Sequence, residues 1–440
     1  QVIKKLLPQG KTTVFKAQLR ILPSVAFISA FLNNTPVVVI FAPIIKHWAK
    51  SVNLPATKFL IPLSYVTILG GICTLIGTST NLVVHGMILE AGFEGFSMFE
   101  LGKVGIFIAI AGIIYIFLFS KRLLPDARPD TAVPDEEVEE GEKLHRVEAV
   151  LGARFPGINK KLKDFNFQRH YGAEVKEIKT RNGQRFVSNL EDVVLHEGDT
   201  LVVMADDTFI PTWGESSVFV LLTNGNEPDT TGKKKRWFAL LLLVLMIVGA
   251  TVGELPVTKE MFPDIKLDMF FFVSITTIIM AWTNLFPARK YTKYISWDIL
   301  ITIACAFAIS KAMVNSGVAD SVAKFIIGLS DDYGPHVLLA MLFIITNLFT
   351  ELITNNAAAA LAFPLALSIA SQLGVSPSPF FVVICMAASA SFSTPIGYQT
   401  NLIVQGIGNY KFTDFVRIGL PLNIITFLIS IILIPLIWNF

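Results

Sequence analysis

Charge is scarce in this sequence. Asp, Glu, Lys and Arg make up 16% of its 440 residues, where a soluble domain carries about 25%. By contrast 53% of the residues are hydrophobic and 35 are Phe, more apolar side chain than one core can hide, so much of the surface must face lipid. Excess charge of one sign is also missing: the formal net charge of +2 excludes the basic footprint of a nucleic-acid binder. Cysteine is rare, and Cys73, Cys305 and Cys385 stand far apart in apolar stretches, which suggests neither a disulfide framework nor a zinc site. No nucleophile–base pair or metal-ligand constellation recurs in the apolar segments, so neither an enzyme nor a resident cofactor is expected. A signal-peptide pattern is absent too. The chain opens at Gln1 with a basic segment (Lys4, Lys5, Lys11, Lys16, Arg20), and further sequence upstream is expected.

Long apolar runs are what the sequence has. Spans of about 20 apolar residues cross a bilayer, and candidates fall at about 102–120, 237–254, 268–286, 295–314, 337–353 and 414–438. Three other runs are interrupted: Ile21–Trp48 by Asn33-Asn34-Thr35-Pro36, Phe59–Leu89 by Gly77-Thr78-Ser79-Thr80-Asn81, and the run ending near Ile407 by Thr394-Pro395-Ile396-Gly397. Unpaired backbone is intolerable in lipid, so such breaks must be buried in protein or line a wet cavity. Broken helices therefore mark a pathway or a site.

From about Pro125 to Arg236 the composition turns charged and polar, which defines an insert between two membrane blocks. Its start, Asp126–Glu142, is acidic and reads as a solvated linker. Strand-like runs follow at Arg146–Leu151, Ala173–Lys179 and Thr200–Met204, with a helical piece near Ile158–Phe165 and turns at Asn182-Gly183 and Glu197-Gly198-Asp199. Residues 1–124, 125–235 and 236–440 are thus a first membrane unit, an insert with a small α+β module at about 141–210, and a second membrane unit. Lys121 and Arg122 before the insert, and Lys233-Lys234-Lys235-Arg236 after it, place the insert in the cytoplasm. The loop with Arg289, Lys290 and Lys293 falls on the same side and Asp331-Asp332 on the other. Trp237, Trp282 and Trp297 sit at span ends as interfacial anchors, Lys311 snorkels, and His85 serves helix packing.

The two membrane units repeat one another. Asn33-Asn34-Thr35 and the run to Phe41-Ala42-Pro43 align with Thr354-Asn355-Asn356 and the run to Ala362-Phe363-Pro364. Further on, Gly77-Thr78-Ser79-Thr80-Asn81-Leu82 aligns with Gly397-Tyr398-Gln399-Thr400-Asn401-Leu402. With the topology above the halves are inverted, the architecture in which secondary transporters bind substrate and coupling ions where the breaks face each other. Neutral Asn and Thr offer donors and acceptors, half-helix N-termini favour an anion, and unwound carbonyls suit a hard cation such as Na⁺. Glu351, beside the second motif, is either a functional intramembrane carboxylate or a packing group at the outer mouth.

These motifs resemble the divalent anion:sodium symporter family, within the wider ion transporter group that includes citrate and arsenite permeases. Paired Ser-Asn-Thr motifs at the tips of two re-entrant hairpins, each followed by a broken helix, are that family's signature. Asn33-Asn34-Thr35 and Thr354-Asn355-Asn356 stand at those tips with the central Asn kept, while Asn33 and Thr354 replace the first Ser and Asn356 the last Thr. The resemblance implies an all-α polytopic membrane protein with inverted repeats, re-entrant hairpins, broken helices and a small α+β cytoplasmic insert. It further implies a homodimer in a bacterial inner membrane, with additional N-terminal helices that this chain lacks. The insert resembles the C-terminal RCK (TrkA-C) module through Tyr171-Gly172-Ala173-Glu174-Val175 and Leu195-His196-Glu197-Gly198-Asp199-Thr200-Leu201. A regulatory role with a small-molecule effector follows from that likeness, a passive assembly role being the alternative.

Together these features lead to the expectation of Na⁺-coupled symport of a small divalent anion, sulfate or a C4-dicarboxylate. Anion oxygens would meet Asn33, Asn34, Thr35, Thr354, Asn355, Asn356 and Thr394. Na⁺ would lie at Asn34, Gly77, Thr78 and Asn81 in one half and at Asn355, Gly397, Thr400 and Asn401 in the other. No Lys or Arg sits in these motifs, so cations must balance the anion. A cation/proton antiporter or arsenite-type permease on the same fold is the alternative. A gated cation channel is the weaker one, because Pro395-Ile396-Gly397-Tyr398-Gln399 only superficially echoes a filter and Leu75-Ile76-Gly77-Thr78-Ser79 lacks the tyrosine.

Overall fold

The computed structural model describes residues 7–8, 12–126, 144–152, 154–180, 184–206, 209–213, 218–223, 233–253, 255–261, 267–285, 297–329 and 334–440. The acidic linker beyond Asp126, the Asn182-Gly183 turn, the loop with Arg289, Lys290 and Lys293, and Asp331-Asp332 lie outside the described residues.

The first half runs α1 (Val14–Ser29), α2 (Asn34–Ser51), α3 (Leu60–Gly71), α4 (Ser79–Glu90) and α5 (Gly102–Leu123). Its interruptions fall where Asn33 and the Gly77–Asn81 segment stand. The second half ends with the same series: α13 (Gly334–Leu352), α14 (Asn355–Leu373), α15 (Ser378–Ser389), α16 (Gln399–Gly408) and α17 (Phe412–Ile437). Between the insert and this series come α8 (Lys233–Gly253), α9 (Pro256–Met261), α10 (Met269–Trp282), α11 (Trp297–Asn315) and α12 (Val318–Leu329). Each of the six uninterrupted spans read from the apolar runs is a helix. Short polar side chains start several of the helices: Thr13 accepts from Lys16 N, Thr354 from Ala357 N and Asp268 from Phe271 N, each holding a donor that the first turn leaves unpaired.

Apolar side chains also line the outside. On α5, Ile106, Ile110, Ile114 and Leu118 form an exposed stripe at helical spacing, as do Leu420, Ile424, Leu428, Ile432 and Leu436 on α17. Such stripes suit hydrocarbon as solvent. The innermost elements are the first arms of the two broken helices: every residue of α3 is buried, and so is nearly every residue of α15. Trp237, Trp282 and Trp297 are exposed at helix ends, and Lys311 is exposed on α11. His85 packs on Gly95, where a Cβ would fall 2.6 Å from its Nδ1.

The halves face opposite ways. Near the open end of the first hairpin, Lys46 of α2 meets Glu148 of the insert at 3.2 Å. Lys58 on this side donates to the carbonyls of Lys121 in the last turn of α5 and of Leu124 at its C-cap. At the other end of α5, Lys103 lies over the Trp438 ring, 5.5 Å from its centroid, and Phe440 rings meet His336 at the open end of the second hairpin. One hairpin thus opens toward the insert and the other away from it.

The insert is an antiparallel sheet of β1 (His145–Leu151), β2 (Glu174–Lys179), β3 (Arg185–Phe186), β4 (Thr200–Ala205) and β5 (Phe219–Thr223), in the order β3-β2-β4-β1-β5. The helical piece expected near Ile158–Phe165 is a run of turns with a single 3₁₀ turn at Leu162–Asp164; the helix, α6, forms one step later at Phe167–Tyr171. Asn166 caps it by accepting from Arg169 N, and Gly172 ends it at φ 71°, which selects that segment over the weaker pattern before it. A further short helix, α7 (Phe209–Trp213), precedes β5. The Glu197-Gly198-Asp199 turn is present, with Gly198 at φ 85°. It rests on α16, where a Cβ at Gly198 would lie 3.2 Å from Leu402.

Candidate functional site

Both hairpin tips are built by one scheme. In the first, Thr74 donates to the carbonyl of Ala30, Gly77 N–H donates back to Thr74 Oγ1 at 3.1 Å, and Asn81 Nδ2 donates to the Thr74 carbonyl at 2.9 Å. In the second, Thr394 Oγ1 donates to the Glu351 carbonyl at 2.9 Å, Gly397 N–H to Thr394 Oγ1 at 3.4 Å, and Asn401 Nδ2 to the Thr394 carbonyl at 3.1 Å. Ala30 and Glu351 each stand four residues before the central Asn of their tip. A loop threonine therefore ties each break to the hairpin beside it, and a loop asparagine closes the unwound backbone that lipid would not tolerate.

Central asparagines Asn34 and Asn355 then reach into the opposite half. Asn34, fully buried, accepts at Oδ1 from Ser29 Oγ at 2.7 Å and donates from Nδ2 to the Tyr398 hydroxyl at 2.6 Å. Tyr398 also shares a 3.0 Å hydrogen bond with Thr78 Oγ1. Asn355, half-buried, donates to Thr80 Oγ1 at 2.6 Å, and Asn356 Oδ1 accepts from Ser79 and Thr80 hydroxyls at 3.2 Å each. Thr35 Oγ1 donates to Gln399 Oε1 at 3.3 Å. The outer members are the exposed N-caps: Asn33 accepts from Thr35 N, and Thr354 from Ala357 N. Four helix N-termini, those of α2, α4, α14 and α16, meet here, and their aligned dipoles offer partial positive charge to an anion without a formally charged side chain.

Glycine makes the approach possible. A Cβ on Gly71 would fall 2.6 Å from Asn34 Oδ1 and 3.0 Å from its Nδ2. Gly77 presses on the Gly71 backbone and Gly397 on Ser391 and the Thr350 carbonyl.

Other loop residues behave differently in the two halves. Thr400 and Asn401 are turned onto α3, where Ser64 Oγ lies 2.8 Å from Thr400 Oγ1 and donates to Asn401 Oδ1 at 2.7 Å. Asn81 Oδ1, the counterpart, is buried without a hydrogen-bond partner among the described residues, which leaves a hard oxygen available to a cation in the first half. Thr394 braces its loop through the Glu351 carbonyl rather than lining the tips. No cluster of three or more His, Cys, Asp or Glu suited to a metal occurs among the described residues.

Several contributors escape a motif search. Tyr398 occupies the position of Thr78 in the other half, so the difference between the repeats, rather than their likeness, marks it. Asn347 donates to the Ala390 carbonyl at 2.6 Å and Tyr65 to that of Phe392, both from the middle of apolar helices where nothing in the spacing singles them out. Outside the spans, the sheet meets the membrane helices through Glu148. Burial alone would raise its carboxyl, but the charges of Lys46, Lys179 and Arg146 and a hydrogen bond from Lys46 outweigh that and hold it at about 2.

Two inverted halves whose neutral tips cross at a break in the opposite half define a membrane transport protein. The chain belongs to the citrate transporter family, whose profile matches residues 1–372 and 265–440. It is 30% identical to an uncharacterised transporter of Synechocystis over 93% of this chain and 81% of that protein. It is 31% identical to sodium/sulfate cotransporter 2 of Chlamydomonas reinhardtii over 64% of this chain and 31% of that protein. A shorter match, 29% identical, covers 30% of this chain and 23% of the Na⁺/citrate cotransporter of Rattus norvegicus.

Proposed function

We propose that the protein is a secondary active transporter that carries a small divalent anion, sulfate or a C4-dicarboxylate, together with Na⁺ across a bacterial inner membrane by alternating access. The observation that carries this reading is the crossing of the tips, in which Asn34 binds Tyr398 and Asn355 binds Thr80. Donors and helix N-termini converge there with no Lys or Arg in either motif. An anion bound to such a site needs mobile cations to balance it, which makes cation binding a condition of anion binding.

Asn34 and Asn81 in the first half, with Gly77 and Thr78, would hold one Na⁺, and Asn355 with Gly397, Thr400 and Asn401 another. Relatives named as sodium/sulfate and Na⁺/citrate cotransporters support the coupling ion and an anionic substrate. The insert, cytoplasmic on the distribution of Lys and Arg, is assigned a regulatory role with a small-molecule effector, and the functional unit a homodimer. Uptake of radiolabelled sulfate and succinate into proteoliposomes under an inward Na⁺ gradient, against choline, tests the proposal. Uptake of one of the two that requires Na⁺ is expected; equal rates in choline, or movement of neither anion, would overturn it.

A further inference from the structure

The shared scheme of the two tips accounts for the carbonyl of Glu351 but not for its carboxylate. Its counterpart in the first half is Ala30. Ser393, next to the loop threonine, corresponds to Cys73 beside Thr74. Gly105 lies against the Ile72 carbonyl as Gly419 lies against that of Phe392, and four residues on stand Ala109 in the first half and Asn423 in the second. Ala30, Cys73 and Ala109 are thus replaced by Glu351, Ser393 and Asn423, three oxygen-bearing side chains brought together by α13, the second loop and α17.

Hydrogen bonds within this trio leave two acceptors over. Glu351 Oε1 accepts from Ser393 N–H at 2.9 Å and from Asn423 Nδ2 at 2.7 Å, and Asn423 Nδ2 also donates to Ser393 Oγ at 2.9 Å. Among the described residues Glu351 Oε2 and Asn423 Oδ1 are both buried without a hydrogen-bond partner, and Asn423 as a whole is only 6% exposed. The nearby Tyr65 hydroxyl is committed to the Phe392 carbonyl. No described residue forms an ion pair with Glu351. A carboxylate oxygen and an amide oxygen buried in one hydrogen-bonded trio, both on candidate spans and each without a donor among the described residues, are costly unless a positive charge joins them.

We propose that Glu351 Oε2, Asn423 Oδ1 and Ser393 Oγ form a further Na⁺ site, confined to the second half and additional to the ions at the two loops. Three hard oxygens with one negative charge suit a hard monovalent cation. Bonded to the backbone of Ser393 and, through Thr394, to the loop that carries Gly397, the site would couple its own ion to the order of the second tip. The choice of ion rests on the Na⁺-coupled reading above; the geometry of the site does not.

Radioactive Na⁺ binding to the purified full chain in detergent, without anion, tests this. Glu351→Gln keeps the size and an acceptor for Ser393 N–H while removing the charge, and is expected to bind one Na⁺ fewer per chain than wild type. Ser393→Cys, which installs the first half's residue, is expected to raise the half-saturating Na⁺ concentration several-fold. Wild-type stoichiometry and affinity in Glu351→Gln overturn the site while leaving the transport proposal intact; wild-type protein that binds no Na⁺ overturns both. Elution profile and melting temperature check that the variants fold. Should Glu351→Gln fail that check, an unchanged half-saturation in Ser393→Cys overturns the site.

Discussion

Asn34 at the tip of the first hairpin donates its Nδ2 proton to the hydroxyl of Tyr398, 364 residues away and at the start of the second half's broken helix, over 2.6 Å. The same hydroxyl bonds Thr78 at the start of the first half's broken helix. One phenol therefore joins a hairpin tip to both breaks, and its loss touches every part of the site at once.

Tyr398→Phe leaves the Asn34 Nδ2 donor buried and unpaired, a cost of about 1–3 kcal/mol. A lowered melting temperature is expected, with Na⁺-driven anion uptake reduced more than protein level. Uptake at the wild-type rate per folded molecule would show that the phenol only fills space.

Gly71→Ala puts a methyl group 2.6 Å from Asn34 Oδ1, closer than carbon and oxygen tolerate. The α3 backbone cannot yield, being buried along its whole length, so the tip must move. Loss of uptake with folding retained is the expected result, checked by transport beside size-exclusion chromatography. At Gly328, where a Cβ meets nothing within 4 Å, the same substitution should be silent.

Asn34→Ala and Asn355→Ala remove the two crossing amides, and each should abolish coupled uptake while expression stays near wild type. Thr80→Val is subtler. It removes the hydroxyl between Asn355 and Asn356 at constant volume, and a raised half-saturating anion concentration is expected from an uptake titration.

Acid should loosen the insert from the helices. The Glu148 carboxyl lies at about 2 in the folded protein against an ordinary 4.5, so its contribution is present above about 4.5 and is lost as pH falls from there toward 2. Proteolysis of the insert should quicken across that interval. In Lys46→Ala, which removes the helix-borne partner 3.2 Å away, the insert should already be more susceptible at neutral pH.

Most of the membrane architecture was legible in the sequence because lipid imposes a simple rule: apolar length makes a span, and polar interruption makes a break. Asn33-Asn34 and Gly77–Asn81 revealed both breaks of the first half, Thr394-Pro395-Ile396-Gly397 revealed one of the second, and the repeat supplied the other at Thr354-Asn355-Asn356. Tyr398 stood out only as a difference between the repeats, and Ser29 and Ser64 were not legible, since a lone hydroxyl in an apolar run carries no period, and only the fold shows which amide it meets. The helix at Phe167–Tyr171 was displaced from its expected place because a cap and a left-handed glycine, rather than apolar spacing, decide a helix of five residues. Asn423 lay hidden within α17, eleven residues beyond its first residue, where its neighbours are wholly ordinary for a span.

The neutrality of the hairpin tips also bears on how the protein is made. Each span must enter the bilayer during synthesis, before its partners exist, and an Asp, Lys or Arg at the middle of an inserting helix costs about 2.5–3.5 kcal/mol. Asn34, Thr35, Asn355 and Asn356 avoid placing such a charge at the tips, and apart from the Ser29–Asn34 bond within the first half their side-chain hydrogen bonds to one another's halves form only when the halves meet. Recognition at the tips is thereby postponed until assembly, and Glu351, four residues before Asn355, is the charge that the nascent chain still carries beside them.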